Sequence, residues 1–247
     1  MFDKINNVSH TLIINTFEGF YYRDSTKIND TLKRISESYK INNLLDLSRK
    51  IAKSIKVEIL NESKHVFEPF GDSGSFLVGA DVENYNTGAI HLKESHITFH
   101  TYLEDKLENF FVIRFELHIC SCTDENIFLS LPEIFGGSSN IPTQKKLLNP
   151  HLIGIDYFRR GAVLMQDHTQ TTNKNHILTN DIFREAFGNQ YTSANKIEDY
   201  NYQQNVLIMN KDLIETRLRN LDLQIPINIL KKLLGCLNNT YRESFLK

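Results

Sequence analysis

Residues 89–122 read AIHLKESHITFHTYLEDKLENFFVIRFELHICSC. Two runs rich in β-branched and aromatic residues, about 89–102 and 110–122, flank the short polar segment Leu103-Glu104-Asp105-Lys106-Leu107-Glu108-Asn109. Such runs on either side of a short turn predict an antiparallel hairpin. Side chains alternate faces along a strand. In the first run Ile97 and Phe99 share one face, and His96, Thr98, His100 and Tyr102 share the other. In the second, Phe111, Ile113, Phe115, Leu117 and Ile119 are uniformly apolar, and their alternates are Val112, Arg114, Glu116, His118, Cys120 and Cys122. One face therefore packs a core. The other gathers imidazoles, a guanidinium, a carboxylate and thiols. A solvated outer face fits that pattern. Solvated faces usually draw on Lys, Glu, Thr and Ser, however, so a site or a subunit interface fits it too.

Working outward, residues 8–22 read as a strand, 26–54 as one or two helices broken near Asn42-Asn43, and 55–60 as a strand. Pro69, Gly71 and Gly74 mark a turn that feeds another strand, and 152–158 is a further short strand. From about residue 180 the texture turns helical. The clearest amphipathic helix is 227–246, where Ile227, Leu230, Leu233, Leu234, Leu237 and Tyr241 recur three and four apart behind Pro226. Strands in adjacent pairs with helices between them predict an α+β fold, an antiparallel sheet layered with helices. No linker demands a boundary, so 1–247 reads as a single domain.

Composition limits the partners. Formal net charge is −2, which gives no global pull toward nucleic acid or an anionic membrane. No apolar run approaches the ~18 residues of a membrane span, and the start, Met1-Phe2-Asp3-Lys4, lacks the pattern of an export signal. Three cysteines, Cys120, Cys122 and Cys236, are too few for a disulfide scaffold. These features predict a cytoplasmic protein.

Other chemistries fit less well. Cys120-x-Cys122 is too closely spaced for the usual structural zinc pair, and no second pair exists. Cys122 with His100 lacks a protease signature around it. Gly136-Gly137-Ser138-Ser139 lacks the Gly-Lys-Ser/Thr of a phosphate loop. No basic-aromatic stripe marks a nucleic-acid surface.

The run Lys93-Glu94-Ser95-His96-Ile97-Thr98-Phe99-His100-Thr101-Tyr102-Leu103-Glu104 closely resembles the self-processing motif of prokaryotic S-adenosylmethionine decarboxylases. Phe67-Glu68-Pro69-Phe70-Gly71-Asp72-Ser73 is similar to that family's aromatic-x-Pro-x-Gly-x-Ser turn. Arg114 through Cys122 is similar to its second strand, which ends on a catalytic cysteine. Asp156-Tyr157-Phe158-Arg159-Arg160-Gly161 resembles a stretch of the longer bacterial branch. Asn6-Asn7-Val8 and Tyr202-Gln203-Gln204-Asn205 are weaker echoes of it.

The resemblance implies a fold and a set of roles. The fold would be a two-layer antiparallel sheet with helices on one face and a helical C-terminal extension. The chain would cut itself between Glu94 and Ser95 into 1–94 and 95–247. Ser95 would become a pyruvoyl group, with Ser73 and His100 assisting and His100 as base. That group would decarboxylate S-adenosylmethionine for polyamine synthesis, and Cys122 would return a proton to the α-carbon. Glu104 would hold the ribose hydroxyls, and Phe67 would pack beside the nucleoside. Glu68 matches an acidic position without an assigned role. His96 reads as structural, Cys120 as a small buried hydrophobe, and Asp156, Arg159 and Arg160 as an ion-pair cluster. A homo-oligomer of processed units and a magnesium dependence also come with the resemblance. Two residues depart from the pattern: Leu103 stands for a proline and Thr123 for a glycine. Both bear on substrate identity, so ornithine or arginine stays open as substrate. An unprocessed regulatory paralogue stays open as well.

Overall fold

A computed structural model of the chain describes residues 9–66, 71–79, 94–107, 109–123, 125–136, 148–160, 176–199, 201–214 and 226–245. The hairpin forms as β4 (Glu94–Leu107) and β5 (Phe110–Ser121). Asn109 turns the chain with φ 70°, a left-handed conformation that asparagine tolerates. Its Nδ2 donates to the carbonyls of Tyr22 and Arg23 at 3.2 and 3.0 Å, which ties the turn to the end of β1 (Ser9–Tyr21).

The remaining strands are β2 (Glu58–Val66), β3 (Asp72–Gly79), β6 (Leu152–Arg160), β7 (Tyr191–Glu198) and β8 (Tyr202–Met209). They join one eight-stranded sheet in the order β2-β3-β4-β5-β1-β6-β8-β7, with every pair antiparallel. The helices are α1 (Ile28–Ser38), α2 (Ile41–Ser54), α3 (Ser130–Phe135), α4 (Asn180–Phe187) and α5 (Ile227–Phe245). No helix among the described residues is long and apolar enough to cross a membrane.

The core forms where two patterns meet. Along α2, Leu44, Leu45, Leu47, Ser48, Ile51 and Ala52 are buried, one stripe at helical spacing. On the sheet, Leu12 and Ile14 of β1, Phe115, Leu117 and Ile119 of β5, and Ile97 and Phe99 of β4 are buried on the face that meets it. Tyr39, between α1 and α2, sets its ring 6.3 Å from Phe20 and 6.3 Å from Phe115 and donates to Glu18 at 2.9 Å. The helical break therefore falls at Tyr39-Lys40, earlier than Asn42-Asn43, because the buried tyrosine anchors the end of α1.

The stretch after residue 180 carries more strand than its composition predicts. β7 is a sheet edge whose Thr192, Ser193, Lys196 and Glu198 are exposed, so it shows no apolar alternation. Polar and charged residues protect such an edge from pairing with other chains.

α5 lies on the face opposite α2. Leu233 packs over Gly19 of β1, with Cδ1 2.6 Å from where a Cβ would stand. Glycine opens the close approach that buries Leu230, Leu233 and Leu237. The helix covers one end of this second face, around Phe17 and Leu152, and the polar strip beyond it belongs to the site.

Beneath β1 sits a buried pair of stacked imidazoles, His10 and His176, with centroids 3.5 Å apart. His10 Nδ1 is 2.7 Å from the Tyr157 hydroxyl, and His176 Nδ1 accepts from the Ile127 amide at 3.0 Å. Burial, then the Arg159 charge, lowers His10 to about 4. Burial, then His10, lowers His176 to about 3. Both rings are neutral in the fold, whereas the unfolded chain would protonate them near the ordinary value of about 6.5. The unfolded state therefore binds more protons between about pH 6.5 and these lowered values, and stability falls as pH drops through that window. Melting temperature is expected to decline from pH 7 to pH 4 more steeply in the wild type than in His176→Asn, which keeps an acceptor for Ile127 but does not titrate. Parallel curves would contradict this.

Candidate active site

The register of β3, β4 and β5 sets the site. Ser73 stands opposite His100, His100 opposite Glu116, and Glu116 opposite Asn15 of β1. His65 of β2 stands opposite Ser73. Residues facing each other across an antiparallel pair lie on one face with Cα atoms roughly 4.5–5.5 Å apart. The sheet thus carries a polar row, His65–Ser73–His100–Glu116–Asn15, across five strands. Beside Ser73, Gly74 leaves room for a neighbouring ring. The Phe99 ring lies across it, 2.4 Å from a virtual Cβ, so β3 is seated closely on β4.

A second set of contacts runs along β5. Glu116 Oε2 accepts from Arg114 Nη1 at 2.7 Å, and Glu116 Oε1 lies 2.8 Å from His118 Nε2. The Arg114 guanidinium lies 4.2 Å from the centre of the Tyr102 ring, a cation–π contact. Tyr102 is stacked at 6.0 Å on His100. The His96 imidazole is held below its ordinary value by burial first and then by the His118 charge.

Cys122 follows the last residue of β5 and is half-buried. Behind it the chain turns. Ser121 Oγ lies 2.9 Å from Thr123 Oγ1 and accepts from the Thr123 amide at 3.2 Å. The hydroxyl pair shapes this turn without the glycine of the resembled motif. The three cysteines are outside any disulfide.

Glu94 stands opposite Gly79 and Ser95 opposite Val78, so the expected cleavage point lies at the end of the β3–β4 ladder, with Ser95 five residues along β4 from His100, roughly 16 Å at strand rise. The β4–β5 register shifts between Leu103 and Asp105. Leu103 still pairs with Ile113, and the ladder is interrupted at Glu104, next to the position where the resembled motif has a proline. Phe67 and Glu68 lie outside the described residues.

Asp156 departs from its expected role. Strand alternation places it with Arg160 and apart from Arg159, and its Oδ1 accepts from the Tyr202 hydroxyl at 2.7 Å and from Gln204 Nε2 at 2.8 Å. That hydrogen bond, after burial, raises the Tyr202 hydroxyl. The Tyr202-Gln203-Gln204-Asn205 run held the clue, because it is the strand paired with β6. Among the described residues no three His, Cys, Asp or Glu side chains converge to hold a metal ion.

The fold and strip define a class: an α+β protein with ionisable side chains ranged on one face of an antiparallel sheet. Along most of its length the chain is similar to S-adenosylmethionine decarboxylase proenzymes. It is 25% identical to the proenzyme of Clostridium botulinum (strain Eklund 17B / Type B) over 95% of this chain and 94% of that one. It is 25% identical to that of Clostridium beijerinckii with the same coverage. The proenzyme of Alcanivorax borkumensis is 26% identical over 47% of this chain and 48% of its own. No family model matches. The crystal structure of the adenosylmethionine decarboxylase from Aquifex aeolicus is 16% identical, covers 67% of this chain and all 100% of that one, and superposes with a TM-score of 0.35.

Proposed function

We propose that the chain is a self-processing, pyruvoyl-dependent decarboxylase acting on S-adenosylmethionine, and that its product is an aminopropyl donor for polyamine synthesis. One observation carries the reading. The residues of the processing motif fall within a register that sets Ser73 beside His100 on a strand that begins at the scissile pair. The similarity to proenzymes over 95% of the chain supports it.

In processing, the chain at Glu94-Ser95 leaves the end of the β3–β4 ladder and turns back toward His100, and the Ser95 hydroxyl oxygen attacks the Glu94 carbonyl carbon. The peptide nitrogen takes a proton and leaves as an amine, which gives an ester. His100 removes the Ser95 α-proton while the Cβ–O bond breaks, and Glu94 departs as the carboxylate end of chain 1–94. The enamine left at residue 95 tautomerises and adds water, releasing ammonia and a ketone. An imidazole suits the base role because it titrates near neutral pH. Ser73, opposite His100, assists this processing.

The pyruvoyl group supplies the electron sink for the pair left by carbon dioxide. Cys122 delivers a proton to the α-carbon. Glu104 accepts from the ribose hydroxyls, and Phe67 packs on the nucleoside. A homo-oligomer of processed units goes with this reading, and Tyr102 and Leu103, 37% and 41% exposed, leave apolar surface beside the strip for it. Cysteines outside disulfides fit a reducing compartment, the cytoplasm.

A nucleoside pocket separates this substrate from a small diamino acid, which has no ribose to hold. Carbon dioxide release from carboxyl-labelled S-adenosylmethionine is expected to exceed release from ornithine or arginine by at least about a hundredfold in kcat/KM, the order of discrimination that polar contacts supply. Preference for either amino acid would overturn the substrate assignment and leave the processing chemistry standing.

A further inference from the structure

The Arg114–Glu116–His118 set is placed for more than holding β5 together. Glu116 lies on the strip between β3 and β5 and uses both carboxylate oxygens, one on Arg114 and one on His118. Its side chain is 20% exposed, so solvent screens it less than a surface pair. It faces His100 directly across the ladder. It also reaches His100 by a second route, because it fixes Arg114, Arg114 caps the Tyr102 ring, and Tyr102 stacks on His100.

We propose that Glu116 is the positioning residue of the self-processing reaction. Its carboxylate, through Arg114 and Tyr102, holds the His100 ring in one orientation on the strip, and it stabilises the imidazolium formed when His100 takes the Ser95 α-proton. This inference rests on the self-processing reading above. The charged and titratable groups around His100 all bear on it: His65 from β2, His96 and Tyr102 from its own strand, and Arg114, Glu116 and His118 from β5. Glu116 supplies the negative charge among them. The proton goes from the Ser95 α-carbon to the imidazole, and Glu116 neither receives nor loses one.

The reaction divides at the ester. Acyl shift precedes the base step, so a defect at His100 lets the ester accumulate, whereas a general loss of structure blocks both steps. Glu116→Gln keeps the shape and removes the charge, and Glu116→Asp keeps the charge on a shorter arm. Cleavage of each freshly made precursor is followed by intact mass, with and without hydroxylamine, which cuts an ester. Glu116→Gln is expected to cleave about tenfold or more slowly, a part of the ~10²–10⁴ that a positioned base contributes. With hydroxylamine it is expected to yield chain 95–247 with an intact serine amine at its start, and Glu116→Asp is expected to recover much of the rate. A Glu116→Gln precursor that cleaves at the wild-type rate overturns the proposal. So does one whose loss of cleavage comes with a collapsed melting temperature, or one that gives no hydroxylamine-sensitive product. A wild type that stays uncut overturns the self-processing reading itself, and Glu116 with it.

Discussion

Ser95→Ala leaves the chain at a single mass and abolishes decarboxylation. Without the hydroxyl no atom can attack the Glu94 carbonyl, so neither the ester nor the carbonyl group derived from Ser95 can form. The effect is all or none, unlike that of a residue which only tunes a rate. Its structural cost is small, because β4 keeps its ladder to β3 and β5 through backbone groups that alanine shares. The variant should therefore fold, melt near the wild-type temperature and remain uncut after days at neutral pH. Two fragments from Ser95→Ala would mean that another residue is the nucleophile or that a contaminating protease makes the cut.

Cys122→Ser should separate the two reactions. Cleavage depends on Ser95, Ser73 and His100, so the variant is expected to process at a rate near the wild type's. Turnover is expected to fall about a hundredfold or more, the order that proton transfer from a positioned acid contributes. A thiol with an ordinary value near 8.5 gives up a proton far more readily than a serine hydroxyl. The loss should sit in kcat, with KM little changed, because the proton is delivered after the substrate is bound. Cys122 stands just beyond β5, between the two residues of the Ser121–Thr123 hydroxyl pair, and its side chain takes no part in that pair, so a serine of similar size leaves the turn intact. Full turnover by Cys122→Ser would move the acid role elsewhere. Cys120 is two residues away on the strip, opposite His96, and is the first place to look.

The central strands were legible because burial there is one-sided. Ile97 and Phe99, like Phe115, Leu117 and Ile119, alternate with polar partners, and a pattern of period two admits a single register against a core. The helices at 26–54 were legible from their apolar stripe. β7 was not, because an exposed edge has no core to impose alternation on Thr192, Ser193 and Lys196. The place of α5 was hidden for a different reason. Its stripe shows that it packs somewhere, but only Gly19, a single glycine in a strand of large residues, signals where.

The site was legible as a list and not as an arrangement. The sequence names His100, Glu116 and Arg114 on one face of a hairpin. It does not reveal that Ser73 stands next to His100, 27 positions on, since that depends on the register of β3. Nor does it join Asp156 to Tyr202 and Gln204, 46 and 48 positions on. Contacts of that span are set by the tertiary fold, and no local pattern encodes them.

The most direct test of the account is the intact mass of the purified wild-type protein under denaturing conditions. The account predicts two species that divide between Glu94 and Ser95, the larger beginning with a group that has lost the amine of residue 95. One uncut chain of 247 residues, persisting through long incubation, would contradict it.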